Sequence, residues 1–152
     1  NNMVEFYRKK SAIQIKTIAP KYNDKGYLDR TGCLFMEGAN GENKKYDWSK
    51  KIKFAIGIND LNAIYAGFFN FERSEQGIID IDLLHDENAG TDKSPIVKKL
   101  TLKTTQNNQG NNVYYMTLIQ GNEKVSVVMG IGDLIKFKLL CEQGLGFMIG
   151  LK

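Results

Sequence analysis

Ile56-Gly57-Ile58-Asn59-Asp60-Leu61 and Met129-Gly130-Ile131-Gly132-Asp133-Leu134 are near-copies of one hexapeptide, standing about half a chain apart. Each follows a run of β-forming residues and precedes an amphipathic stretch, so each reads as a strand-to-helix junction. Asn59-Asp60 has the look of a helix start, because an Asn side chain accepts backbone N–H bonds and an acid in the first turn suits the helix dipole. Leu61, Ile64, Tyr65 and Phe68 follow at helical spacing, with Gly67 as the expected stop. Gly132-Asp133 opens the second helix, which carries Leu134, Phe137 and Cys141 on one stripe, widened by Ile135 and Leu139. Strands ending in a helix, twice over, predict an α+β architecture of antiparallel sheets backed by helices. One unit leaves its sheet's inner face poorly covered, so the two, about 8–70 and 77–150, pack together as a single domain spanning 1–152.

The strands are written in period-two alternation. In Ser11 to Ile18, Ile13 and Ile15 take one face and Gln14 and Lys16 the other. Pro20 stops this strand, and a short extended piece follows around Tyr27 to Arg30. Gly32 to Gly38 reads as a strand, Ala39 to Lys45 as a polar loop, and Ile52, Phe54 and Ile56 alternate with Lys51, Lys53 and Ala55. In the second half, strands are expected at about 77–84, 96–104, 113–120 and 124–129, with Lys99, Thr101 and Lys103 sharing a face. Gln106 to Asn112 is a hairpin loop longer than the two-residue type.

Composition narrows the function. With 42% hydrophobic and 25% charged residues over 152 positions, the chain is that of an ordinary globular domain. No apolar stretch reaches the ~18 residues of a membrane helix, and the start has no apolar signal core. We therefore expect no membrane partner and an intracellular site: cytoplasm or nucleoid, or an organelle matrix in a eukaryote. The net charge of +4 and pI near 9.0 favour a polyanionic partner. Cys33 and Cys141 read as free buried thiols.

A single histidine, His85, removes most catalytic relays and zinc sites. Asp80, Asp82, His85, Asp86 and Glu87 form the one plausible metal or acid–base cluster, since carboxylates two apart on a strand share a face. The same stretch also reads as a half-buried strand, with Ile79, Ile81 and Leu83 inward and the acids solvated. In Gly144 to Gly150 the third glycine falls one residue later than a dinucleotide loop requires, which leaves a tight turn or close helix packing. We expect no enzyme, no cofactor and no metal.

Two segments resemble a known family. Arg8-Lys9-Lys10-Ser11-Ala12-Ile13 is similar to the Lys-Gly-Lys-Ala-Ala-Leu motif of the Whirly proteins, with Lys9 at the family's glycine and Ser11 at its first alanine. Tyr46-Asp47-Trp48-Ser49-Lys50-Lys51 resembles their Tyr-Asp-Trp-Ser-Arg-Lys segment, and the order of elements matches across nearly the whole chain. Whirly proteins share with positive cofactor 4 a sheet-rich fold that binds single strands. The resemblance implies two four-stranded antiparallel sheets packed crosswise, two helices, and a homotetramer formed through the helices.

Single-strand binding without sequence preference needs cations for phosphates and flat side chains for bases on an extended surface. Lys16, Lys51, Lys53, Lys99 and Lys103 fall on outward strand positions, Phe35 shares its face with Cys33 and Glu37, and the basic motif adds Arg8, Lys9 and Lys10. Tyr22, Tyr46 and Trp48 are candidates for stacking or for packing alike. Tyr114 and Tyr115 point to opposite faces. The expected function is largely sequence-independent binding of single-stranded DNA in replication, recombination or repair. Binding or annealing of single-stranded RNA, and transcription regulation through the same surface, remain open alternatives. A nuclease using Asp80, Asp82 and Asp86 is the competing enzyme class.

Overall fold

Alternation of apolar and polar residues turns nearly half of the chain into strands whose inward faces meet in one core. The computed structural model describes residues 3–150. The first half gives β1 (Met3–Tyr7), β2 (Ser11–Ile18), β3 (Lys21–Tyr22), β4 (Leu28–Arg30), β5 (Cys33–Glu42), β6 (Lys45–Tyr46), a 3-10 turn at Trp48–Lys50, β7 (Ile52–Ile56) and α1 (Ile58–Arg73). The second gives β8 (Asp80–Asp86), β9 (Val97–Gln106), β10 (Asn112–Gln120), β11 (Glu123–Met129) and α2 (Ile131–Met148).

All pairings are antiparallel. The second sheet has four strands in the order β11-β10-β9-β8. The first has five rather than the expected four, because β5 is long enough to pair β7 along Leu34–Gly38 and the two-residue β6 at Gly41–Glu42. β3 and β4 form a small hairpin of their own. Facing each other across the interior are Phe6, Ile13, Ile15, Leu34, Met36, Ile52, Phe54 and Ile56 from the first sheet and Ile81, Leu83, Leu100, Leu102, Met116, Leu118, Val125 and Val127 from the second, all buried. Each such side chain contributes about 1.5–3 kcal/mol by leaving water. β11 packs on β2 and β5, and β7 on β9 and β10. Gly38 faces the second sheet at close range; a Cβ there would lie 3.0 Å from Leu118 and 3.2 Å from Val125.

Several local expectations are corrected. The helices start earlier than Asn59 and Gly132: extended Gly57 and Gly130 are the N-caps, and the carboxylates of Asp60 and Asp133 accept their N–H groups at 2.8 and 3.0 Å. The repeated acid is thus a cap reaching backwards, and Asn59 is exposed. Gly67 does not stop α1. It lets the helix approach β8 so closely that a Cβ would meet Ile81 at 2.2 Å. Gly144 likewise packs on Leu34, and Gly150 turns the chain just after α2 with φ 81°, so the glycine-rich stretch is helix packing that ends in a turn. The polar loop from Ala39 is mostly strand, closed by a two-residue turn with Asn43 and Lys44 both left-handed (φ 52° and 66°). Met3 to Tyr7, not read as a strand from sequence, is the edge strand of the first sheet.

The stripe of Leu134, Phe137 and Cys141 is buried within the chain, with Phe137 against Phe68 at 6.2 Å. Burial pushes the Cys141 thiol up to about 12. Cys33, expected to be buried, is only half-buried on the outer face of the first sheet. Among the described residues, no helix is long and apolar enough to cross a membrane.

Candidate nucleic-acid interface

The outer face of the first sheet is assembled from the residues that alternate with its core. The register places Lys16 beside Phe35 and Phe35 beside Ala55, and the next row runs Glu5, Gln14, Glu37, Lys53. The Lys16 ammonium lies 5.6 Å from the centre of the Phe35 ring. Lys53 projects outward and is exposed, and Lys51 enters the same face just before β7.

Glu37 organises these cations. Its Oε1 receives Lys16 Nζ at 3.3 Å and Gln14 Nε2 at 3.3 Å, and its Oε2 receives Lys51 Nζ at 2.5 Å. The carboxylate side chain is 4% exposed, while the two lysines keep 41% and 34% of theirs in water. Burial alone would raise its pKa, but the hydrogen bonds from Lys51, Gln14 and Lys16 outweigh it and hold the group below the usual carboxylate range. The result is a fixed pair of cations about one acid, held flat against the sheet.

One end of the face is aromatic. Ala12 and Ala39, on the face opposite Ile13, are paired in register and fully covered. There Tyr7 meets Tyr46 at 5.6 Å, and Tyr46 meets the edge of Trp48 at 6.0 Å. The Tyr46 hydroxyl donates to the Arg8 carbonyl, which fixes its ring. Asp47 holds the 3-10 turn by accepting from Ser49 N at 3.2 Å and Ser49 Oγ at 2.5 Å. Lys9 and Lys10 stand exposed beside it, their carbonyls accepting from Lys44 N at 2.8 Å and Gly41 N at 2.9 Å.

The Whirly transcription factor family matches residues 6–135, most of the chain and, Glu5 apart, the whole of the surface just described. The chain belongs to the Whirly family. No curated protein matches it by sequence. Solved structures do match in fold. The plant transcriptional regulator PBF-2 superposes with a TM-score of 0.75 at 17% identity, covering 99% of this chain and 91% of that one. WHY1 and WHY3 from Arabidopsis thaliana give 0.75 and 0.71, both at 18% identity, covering 98% and 99% of this chain and 91% and 89% of theirs.

Not all the sequence candidates of this Whirly chain lie on one face. Lys16, Phe35, Lys51 and Lys53 are together, with Lys9, Lys10, Tyr46 and Trp48 at one end. Lys99 and Lys103 belong to the outer face of the second sheet, and Lys103 sits between Asp80 and Asp82 at 3.6 and 3.4 Å. Arg8 is engaged by the fold itself: its guanidinium, partly exposed, donates to Val128 O, Tyr7 O and Asp133 Oδ2 at 2.8–2.9 Å, tying β11 and the start of α2 to β1. Tyr22 lies on the β3–β4 hairpin against Gly150. The acidic cluster of β8 is dispersed: Asp86 accepts the N–H groups of Asn88 and Ile96, and His85 bonds Asp60. Among the described residues, no three metal-ligating side chains converge. Sequence reasoning missed Tyr7 and the role of Glu37. Val4 and Phe6, alternating with Glu5 and Tyr7, carried the signal for the strand that presents Tyr7.

Proposed function

We propose that this Whirly chain is a non-enzymatic binder of single-stranded DNA, acting with little sequence preference through the outer face of its first sheet. The observation that carries this reading is the row of Lys16, Phe35, Lys51 and Lys53 leading into Tyr7, Tyr46 and Trp48. Lysines 16, 51 and 53 neutralise phosphates, and Phe35 with the aromatic end offers stacking surface to unpaired bases. Duplex bases are already stacked and do not reach it. We assign this binding to replication, recombination or repair. The name of PBF-2, a plant transcriptional regulator, favours a second reading, regulation through the same face.

We also propose a homotetramer built through the helices. The family resemblance implies it, and an exposed ridge on α2 supports it: Ile131, Ile135 and Leu139 are 52%, 53% and 51% accessible. The Leu134 and Phe137 stripe is hidden within one chain, which leaves this ridge as the apolar face α2 offers to a neighbour. Light scattering should give a mass near four times 17.2 kDa, and a clean monomer at micromolar concentration overturns the assembly.

The deciding experiment for function is competition among single-stranded DNA, duplex DNA and single-stranded RNA at fixed salt, with single-stranded DNA expected to win. Preference for RNA moves the function to RNA binding, and preference for duplex removes the stacking role.

A further inference from the structure

Beside the proposed binding face, at the edge strand β7, lies a small recess of about 160 Å³. We infer that it takes one unpaired base of the bound strand and selects guanine. This inference rests on the single-strand reading above and adds a base preference to it.

Position comes first. β7 pairs only with β5 among the described residues, so its other edge is open to this recess. Phe35, Lys53 and Ala55 form the side next to the binding face, Phe54 adjoins them, and His85, Glu87 and Lys98 supply the far wall. A base leaving the track at Phe35 thus has an adjacent cavity to enter. The volume is well below the roughly 300–1,000 Å³ of a pocket for a drug-sized ligand, and suits a single flat ring system.

The wall is preset. The His85 ring lies on Phe54 with centroids 4.1 Å apart and planes 17° from parallel. Its Nε2 is held by both carboxylate oxygens of Asp60 at 2.9 and 3.0 Å, and Asp60 is itself fixed by the Gly57 N–H. A flat wall already in place needs no ordering when a base arrives.

The polar groups set the preference. Lys98 points inward in line with Leu100 and Leu102 and is only 7% exposed, yet it carries a charge, paired with the half-exposed carboxylate of Glu87. Burying the ammonium of such a pair is poor support for a fold, since an apolar side chain of the same shape does as well or better there. Its use lies in what it presents: a carboxylate and an ammonium side by side at the wall of the recess. Guanine alone among the bases has two adjacent N–H donors, at N1 and N2, next to an acceptor at O6. The carboxylate accepts the pair and the ammonium donates to O6. Thymine offers one N–H, and adenine and cytosine set their amine beside a ring nitrogen that repels a carboxylate.

The test uses oligo-dT carrying one central guanine, hypoxanthine or thymine, with affinity read by fluorescence anisotropy. The guanine oligomer should bind about tenfold tighter than oligo-dT, and hypoxanthine, which lacks the 2-amino group, should lose most of that gain. Glu87→Gln should abolish the guanine gain while leaving oligo-dT affinity within about twofold. Lys98→Met, which keeps the shape without the charge, should lose the gain and keep the melting temperature. Equal binding of guanine and thymine oligomers, or a guanine gain that survives Glu87→Gln, overturns the recess as a base site. Failure to bind any of the oligomers overturns the single-strand reading instead.

Discussion

Glu37→Gln should tighten single-strand binding while weakening the fold, because one buried acid restrains two of the lysines that meet phosphate. On the outer face of the first sheet stand Lys16, Lys51 and Lys53 against Glu5 and Glu37. Glu37 holds Lys16 at 3.3 Å and Lys51 at 2.5 Å. Gln keeps the shape and the contact with Gln14 but removes the charge, so the net charge of the row doubles from one to two. One further phosphate neutralised steepens the salt dependence by about 0.7 in log K per log salt for a single strand, which at 0.1 M salt is about a fivefold gain in affinity. The lysines left behind are a third or more exposed and rehydrate, so the loss of stability stays at about 1–2 kcal/mol rather than the cost of a stranded buried charge. The pKa of Glu37 is lower in the fold than in the open chain. Its stabilising contribution is therefore complete above the ordinary carboxylate value of about 4.3 and lost as pH falls through the folded value. Urea melts of the two proteins should differ at pH 7 and converge as pH falls from about 4.3 through the lowered folded value. Anisotropy titrations with oligo-dT over a salt series read the rest. A weaker, flatter salt response in Glu37→Gln, with the fold intact, would refute the assignment of Lys16 and Lys51 to phosphate.

Phe35→Ala should weaken oligo-dT binding about tenfold with little change in the salt slope or in duplex affinity, and equal losses for both forms would make Phe35 a packing residue. Lys51→Ala and Lys53→Ala should flatten the salt slope of a short oligomer, whereas Lys103→Ala, on the other sheet, should leave it unchanged; the reverse pattern would move the binding face. Asp133→Ala removes both the Gly130 N–H cap and the Arg8 partner of α2, and should cost about 1–3 kcal/mol in denaturant melts. Ile135→Asp, on the exposed ridge of α2, should shift light scattering from tetramer to smaller species while circular dichroism stays native.

What the sequence determined by itself is local and periodic. Ile13 and Ile15 against Gln14 and Lys16, and Ile52, Phe54 and Ile56 against Lys51 and Lys53, assigned every one of these residues to its face, because a strand's side chains alternate whatever it packs on. The twin hexapeptides at 56–61 and 129–134 located both helix starts to within two residues, and missed their caps only because the acid reaches back to a glycine N–H. What the tertiary structure decided is how faces are shared between elements. Alternation says that Lys103 and Lys16 both point outward, but not that they point outward from different sheets. It shows Gly67 as a weak helix position, yet the approach of Ile81 that requires it lies across the core. The burial of Glu37, the engagement of Arg8 with Asp133, and the sharing of one recess by Phe35, His85 and Lys98 all join residues far apart in the chain. Periodicity carries no information on such meetings. They are set by the register of β2 on β5 and β7 on β5, and by the packing of one sheet on the other.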